Sequence, residues 1–207
     1  MNDTKEKIIE VSLELFSRKG YSAVSIRDIC RQVGIKESSV YYHFKNKQAV
    51  FDEILSRFQQ KATGMMNCLT SAMTADWHAA DDNYYMDYME VCHCFFEKYL
   101  MDDFCNKVMR LMLIEQFHNE KVKEAYDCWM FTKPLEFQSS IFRMLMDRGV
   151  LPAADPEYIA ILYYAHVFFF AQKWLLCGPL YDENKNAFRK AAYQHIQCFF
   201  SELGGSK

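Results

Sequence analysis

Ser25-Ile26-Arg27-Asp28-Ile29-Cys30-Arg31-Gln32-Val33-Gly34-Ile35-Lys36-Glu37-Ser38-Ser39-Val40-Tyr41-Tyr42-His43-Phe44-Lys45-Asn46-Lys47 is the stretch that decides how this chain folds. Ser25 is a helix-capping residue, and Asp28, three positions on, is placed to reach back to it, so a capping box opens a helix at Ile26. Ile26, Ile29, Cys30 and Val33 recur with helical period and form its buried stripe. Gly34 ends the helix, because glycine turns left-handed without steric cost. A short aromatic segment, Ile35 to Phe44, follows, and Asn46 then caps a further helix with Lys47 in its first turn. Two short helices joined by a glycine turn have the shape of a helix-turn-helix. In that motif the first helix crosses the DNA backbone and the second presents its outer face to the major groove.

Upstream, the spacing predicts a helix beginning at Asp3, with Glu6 completing a capping-box-like start and Ile9, Leu13 and Phe16 forming its apolar stripe. It ends at Arg18-Lys19-Gly20, cations near the negative end of the helix and then a residue free to turn. Downstream, Val50, Ile54, Phe58, Ala62, Met65 and Leu69 keep one helical period. A polar interruption over 76–83, which includes His78, Asp81 and Asp82, separates that helix from a second group at about 84–100, 103–116, 119–131, 134–148, 156–177 and 184–203, two of which may merge. Gly149 with Leu151-Pro152 marks a stop, and Asp155-Pro156 marks a start with a capping Asp and Pro at the first helical position. With 7 Gly, 4 Pro and few β-branched runs, the expected fold is all-α.

Gly20-Tyr21, Ser25-Ile26-Arg27-Asp28-Ile29-Cys30, Val33-Gly34-Ile35 and Ser39-Val40-Tyr41-Tyr42-His43-Phe44-Lys45-Asn46-Lys47, in this order and without gaps, resemble the signature of the TetR family of transcriptional regulators. The resemblance covers about residues 5–55; the rest of the chain carries no such signature. It implies an N-terminal three-helix DNA-binding domain over 1–50 and a C-terminal helical domain over 51–207 that binds an effector and dimerises. It also implies DNA contacts. Ser25 and Arg27 would meet phosphate, Lys36, Glu37, Ser38 and Ser39 would open the recognition helix, and Tyr41, Tyr42 and His43 would lie along its groove-facing side. Lys47 would clamp a phosphate where helix dipole and ammonium charge add. Val40 and Phe44 point the other way, into the core. Tyr41 fits a packing role as well as a contact, His43 a satisfied hydrogen-bonder as well as a phosphate contact, and Lys45 a solvated cation. Two residues depart from the family pattern: Lys36 stands where Ser or Thr usually caps the recognition helix and cannot accept its amides, and Glu37 puts a negative charge near phosphate, although a carboxylate can accept from a cytosine amino group.

Charge supports a basic head on an acidic body. The net charge is -3, but residues 1–60 hold 10 Lys and Arg against 8 Asp and Glu, while the remainder is acidic. The charged N-terminus leads straight into helix with no export signal, and the longest nearly uncharged run, Tyr158 to Ala171, falls short of the ~20 residues of a membrane span. A cytoplasmic protein without membrane contact is expected. Eight cysteines show no CxxC pair, so buried free thiols are the default reading. Cys92-His93-Cys94 invites a metal, yet neighbours about 100° apart on a helix cannot face one ion. No cofactor and no metal are expected.

In the body, the 156–177 helix is apolar nearly all round and must be covered on more than one side. The last helix carries Phe188, Ala191, Ala192, His195, Phe199 and Leu203 on one stripe. These last two helices would pair with their two-fold mates in a homodimer that matches a palindromic double-stranded DNA operator; the alternative is that they bury each other within one monomer. Tyr88, Cys92, Phe95, Met112, Phe117, Trp129, Phe137 and Phe168 are candidates to line a cavity for a small apolar or amphipathic effector, and they are equally the residues of an ordinary helical core. Enzyme motifs are missing: no phosphate-cradling Gly loop, no HExxH and no nucleophile elbow. The reading that results is a ligand-released repressor, with a regulator lacking a small-molecule effector as the alternative.

Overall fold

In the computed structural model, the structure describes residues 2–75 and 84–203, with side chains over 3–71 and 88–203. The polar stretch 76–83, with His78, Asp81 and Asp82, lies outside the described residues. Everything regular among them is helical: α1 (Asn2–Lys19), α2 (Ile26–Val33), α3 (Glu37–His43), α4 (Lys47–Ala75), α5 (Tyr84–Phe95), α6 (Asp103–Glu115), α7 (Glu120–Asp127), α8 (Lys133–Asp147), α9 (Pro156–Phe170) and α10 (Asp182–Leu203). Helices α5, α7 and α9 each close in a π-helical turn, at Phe96–Leu100, Cys128–Thr132 and Ala171–Leu175. The π-turn after α7 is followed directly by α8, the one place where two of the expected helices are not separated by a loop.

Local chemistry explains most of the ends. Ser25 caps α2 by accepting the Asp28 amide at 3.2 Å, and Asp28 Oδ2 accepts the Ser25 amide at 3.0 Å, which completes the capping box. Gly34 stands at φ 79° and its amide reaches Cys30 O. Asn46 Oδ1 accepts the Ala49 amide at 2.9 Å, and Asp155 accepts from Glu157 and Tyr158 ahead of Pro156. One expected cap fails. Glu6 does not reach back to the start of α1; both its oxygens accept from Arg57 on α4, at 2.6 and 3.0 Å, because a bidentate guanidinium outcompetes an exposed amide.

Contacts group the chain into two units, Met1–Thr63 with Lys107–Tyr126, and Gly64–Asn106 with Asp127–Lys207. Within the first, Ile8, Phe16, Ile29, Val40, Val50, Ile54 and Phe58 are fully buried. The segment 107–126 joins them through polar ties: Lys107 Nζ meets Glu14 at 2.9 Å, and the buried Glu115 accepts the Tyr21 amide at 2.8 Å. The first contact unit thus runs past residue 50 to Thr63 and takes in 107–126.

The second unit has its own core of Tyr88, Phe96, Tyr99, Ile141, Phe142, Tyr163, Phe188 and Ile196. π-Turns leave carbonyls outside the regular ladder, and the buried Asn106 serves two of them, donating to Leu100 O at 3.3 Å and Leu175 O at 3.0 Å. The all-round apolar character of α9 resolves into two faces: Ile159, Tyr163, Tyr164 and Val167 are buried, while Tyr158, Ile161, Leu162 and Phe169 stay exposed. On α10 the stripe expected to pair outward turns inward in part. Phe188 and Ala192 are fully buried within the unit, whereas His195 stacks on His166 with ring centroids 4.5 Å apart.

Candidate nucleic-acid interface

The face that α3 leaves in water is the candidate interface. Its inward residues, Val40 and Phe44, are buried, as expected. Outward, Tyr41 is 52% exposed and Tyr42 70%, with Tyr42 edge-on to His43 at 5.0 Å. Aromatic rings of that size normally lose water on folding, so two neighbours left open on one short helix mark a surface built to be covered later. Ser38 is exposed, Ser39 and His43 half-buried. Lys36 is exposed and stands at the N-cap with no side-chain hydrogen bond, as a residue with no acceptor must.

Arg27 lies on α2 with its side chain 82% exposed, and its Nε donates to Glu37 Oε1 at 3.1 Å. The two helices are thus bridged on their outer side. Arg31, one turn further along α2, is 80% exposed and only distantly paired with Asp28 at 3.7 Å. A cation four positions after Arg27 falls on the same helix face, so the spacing of the two arginines is the sequence signal for it. Ser25 is occupied by its cap: its hydroxyl donates to Asp28 Oδ2 at 2.6 Å, and this bond above all holds the Asp28 carboxyl below its ordinary value.

Lys47 departs most from expectation. Its ammonium turns inward, donating to Tyr21 O at 2.8 Å and Val24 O at 2.7 Å while lying 4.1 Å from the centre of the Tyr21 ring. Burial lowers its pKa. Two of its three donors are spent on the loop that precedes α2, and the carbonyls lie too far upstream in sequence for any local signal to have shown it.

Three of the eight cavity candidates share a cavity. Cys92, Phe95 and Phe137 line one internal cavity with Phe96, Gln138, Tyr163 and Tyr164, and it holds about 10 Å³, room for roughly a single water. Tyr88 adjoins it, its hydroxyl donating to Gln138 Oε1 at 2.9 Å. Cys92 Sγ and the Tyr163 hydroxyl are 3.3 Å apart, and burial pushes the Cys92 thiol up to about 12. Trp129 is buried and accepts the Tyr99 hydroxyl on its carbonyl; Phe168 packs on the Phe131 ring at 4.8 Å. Met112 and Phe117 belong to the other unit, Met112 fully buried there and Phe117 81% exposed in the turn after α6. Phe117 follows the end of α6 at Glu115 and does not line that cavity. A larger groove of about 520 Å³ opens on α8 and α9, with Leu135, Ser139, Arg143, Glu157 and Ile161 among its walls. Among the described residues no group of three or more His, Cys, Asp or Glu is arranged for a metal ion, and no helix is long and apolar enough to cross a membrane.

An all-helical chain whose second and third helices form a capped helix-turn-helix with an open polar and aromatic face is a DNA-binding transcriptional regulator. Residues 8–54 match the family model described as "Bacterial regulatory proteins, tetR family". Over almost its whole length it is similar to the biofilm operon icaADBC HTH-type negative transcriptional regulator IcaR of Staphylococcus epidermidis, with 23% identity over 96% of this chain and 100% of that one. A TetR-family regulator from Mesorhizobium loti shares the fold with a TM-score of 0.66 at 20% identity, covering 97% of this chain and 96% of that one. SmeT of Stenotrophomonas maltophilia, in its complex with triclosan, also reaches 0.66, at 23% identity over 95% of this chain and 91% of SmeT. These relatives are regulators, not enzymes.

Proposed function

We propose that the protein is a repressor that holds a palindromic operator as a homodimer in the cytoplasm and is released by a small apolar or amphipathic ligand. The observation that carries the DNA reading is the pair of open rings, Tyr41 and Tyr42, on the outer face of α3, with Arg27 and Lys36 beside them. In this reading residues 1–50 make the DNA contacts. Arg27 and Ser25 meet phosphate, residues Lys36 to Ser39 open the recognition helix, Tyr41, Tyr42 and His43 lie along the groove, and the remaining Lys47 donor faces a phosphate. Residues 51–207 bind the effector and pair with a second copy. The exposed apolar residues Tyr158, Ile161, Leu162 and Phe169 on α9 supply the pairing surface, with α10 contributing the part of its stripe that is not buried.

Repression is supported by the likeness to IcaR, and ligand response by the likeness to SmeT, whose structure holds triclosan. One observation favours a second reading, a regulator with no small-molecule effector: the cavity that Cys92, Phe95 and Phe137 line is no larger than a water. The DNA reading is tested by selecting bound duplexes from a randomised pool and measuring anisotropy against salt. Arg27→Ala should lower the slope of log affinity on log salt by about 1, and Tyr42→Ala should weaken binding. Wild-type binding by both variants overturns the assignment of the head. A panel of apolar compounds in thermal-shift assays separates the two effector readings, since an effector raises the melting temperature and releases DNA, and a regulator without one responds to none.

A further inference from the structure

We propose that Glu37 is a base-reading residue that selects cytosine at one operator position, and that Arg27 is the positioning residue that makes this possible; the inference rests on the DNA-binding reading above. Glu37 sits in the first turn of α3 with its side chain 43% exposed, one helical turn before the exposed Tyr41 and bridged to the outward-facing Arg27. A carboxylate there, left alone, would be repelled by the phosphates on either side of the groove.

The Arg27 guanidinium removes that objection. Its Nε donates to Glu37 Oε1 at 3.1 Å, which fixes the carboxylate in direction and offsets its charge. Among the described residues nothing else accepts from Arg27 and nothing donates to Glu37 Oε2. The four N–H groups on the Arg27 terminal nitrogens therefore stay open to a phosphate, while Oε2 stays open to a base edge. One cation can serve both partners at once.

An ionised carboxylate only accepts, so it needs a donor on the base. In the major groove guanine shows N7 and O6 and thymine shows O4, all acceptors. Adenine offers its N6 amino group, but the N7 acceptor beside it faces the carboxylate. Cytosine presents the N4 amino group as its sole hydrogen-bonding feature there, so cytosine is the match.

The test is selection of duplexes from a randomised pool by the full-length protein and its variants, followed by affinity measurement on the selected sequence with each base substituted in turn. Wild type should enrich cytosine at one recurring position, with another base costing about 5- to 100-fold there. Glu37→Gln should move that position to adenine, which glutamine reads through N6 and N7. Glu37→Ala should lose the preference there and keep it elsewhere, Arg27→Ala should blur it, and Arg31→Ala should weaken all sequences alike. Identical base preferences at every position for wild type, Glu37→Ala and Glu37→Gln would overturn the inference while leaving the DNA reading intact. A wild-type protein that enriches no sequence at all would overturn both.

Discussion

Glu115 and the backbone of Tyr21 meet across 94 positions of sequence, the carboxylate Oε1 accepting the Tyr21 amide at 2.8 Å from a side chain that is almost fully buried. The contact fixes the loop between α1 and α2, and it shapes its neighbour: a Cβ on Gly20 would stand 3.0 Å from the same oxygen.

Gly20→Ala and Gly34→Ala should separate on this account. Both glycines have a positive φ, 82° and 79°, but Gly34 has open space where a Cβ would go. Gly34→Ala should cost the left-handed backbone penalty alone, about 1–2 kcal/mol. Gly20→Ala should cost more, because it also crowds Glu115. Urea denaturation of the two variants orders them; equal midpoints would mean that the Glu115 approach is not felt.

Lys47→Ala should lower stability and not merely DNA affinity. Removing the ammonium leaves the Tyr21 and Val24 carbonyls without their charged donor, a loss of about 1–3 kcal/mol, read as a fall in melting temperature. Arg27→Ala, at an 82% exposed side chain, should leave the melting temperature unchanged. A lysine that acts only as a phosphate clamp would give unchanged melting curves for both.

Acid should loosen the first unit. A hydrogen bond from Ser25 lowers the Asp28 carboxyl below 3.8, and bonds from Arg57 to Glu6 and from Lys5 to Glu53 lower those two below 4.5. Carboxylates whose folded pKa is depressed contribute stability that is present above the unfolded values and lost as pH falls through the folded ones. Urea midpoints should therefore fall modestly below about pH 4, and Asp28→Asn should flatten part of that fall. A midpoint independent of pH in this range would contradict the assignment of these pairs.

Thiol reagents should divide the cysteines by burial. Cys68, Cys177 and Cys198 are exposed and should label within minutes in the native protein, whereas Cys30, Cys92 and Cys105 are buried and should wait for unfolding. Cys92, with its thiol pushed up to about 12, should be among the slowest. Mass spectrometry of labelled peptides reads the order, and rapid native labelling of Cys92 would show that its cavity opens.

Replacing Phe169 or Ile161 by Glu should shift the protein to monomer if α9 carries the pairing surface. Both are exposed, at 58% and 51%, so neither change disturbs the core. Sedimentation velocity distinguishes the outcomes, and an unaltered dimer would place the interface elsewhere.

What the amino-acid order determined by itself is everything that depends on neighbours within about four positions. The capping box of Ser25 and Asp28, the left-handed stop at Gly34, the Asn46 and Asp155 caps and the period that buries Val40 and Phe44 are all contacts between residues close in sequence, so the helix-turn-helix was legible before any coordinates. Tertiary structure alone decided where long side chains with several possible partners ended up. Lys47 turned to carbonyls 23 and 26 positions back, Glu6 went to Arg57, Met112 and Phe117 joined the first unit, and Phe188 and Ala192 of the α10 stripe turned inward. The physical reason is common to all four. A cap or a helical period is satisfied within one turn of backbone, whereas an ion pair or a buried ring is placed by which distant helix packs beside it, and a single sequence does not state that choice.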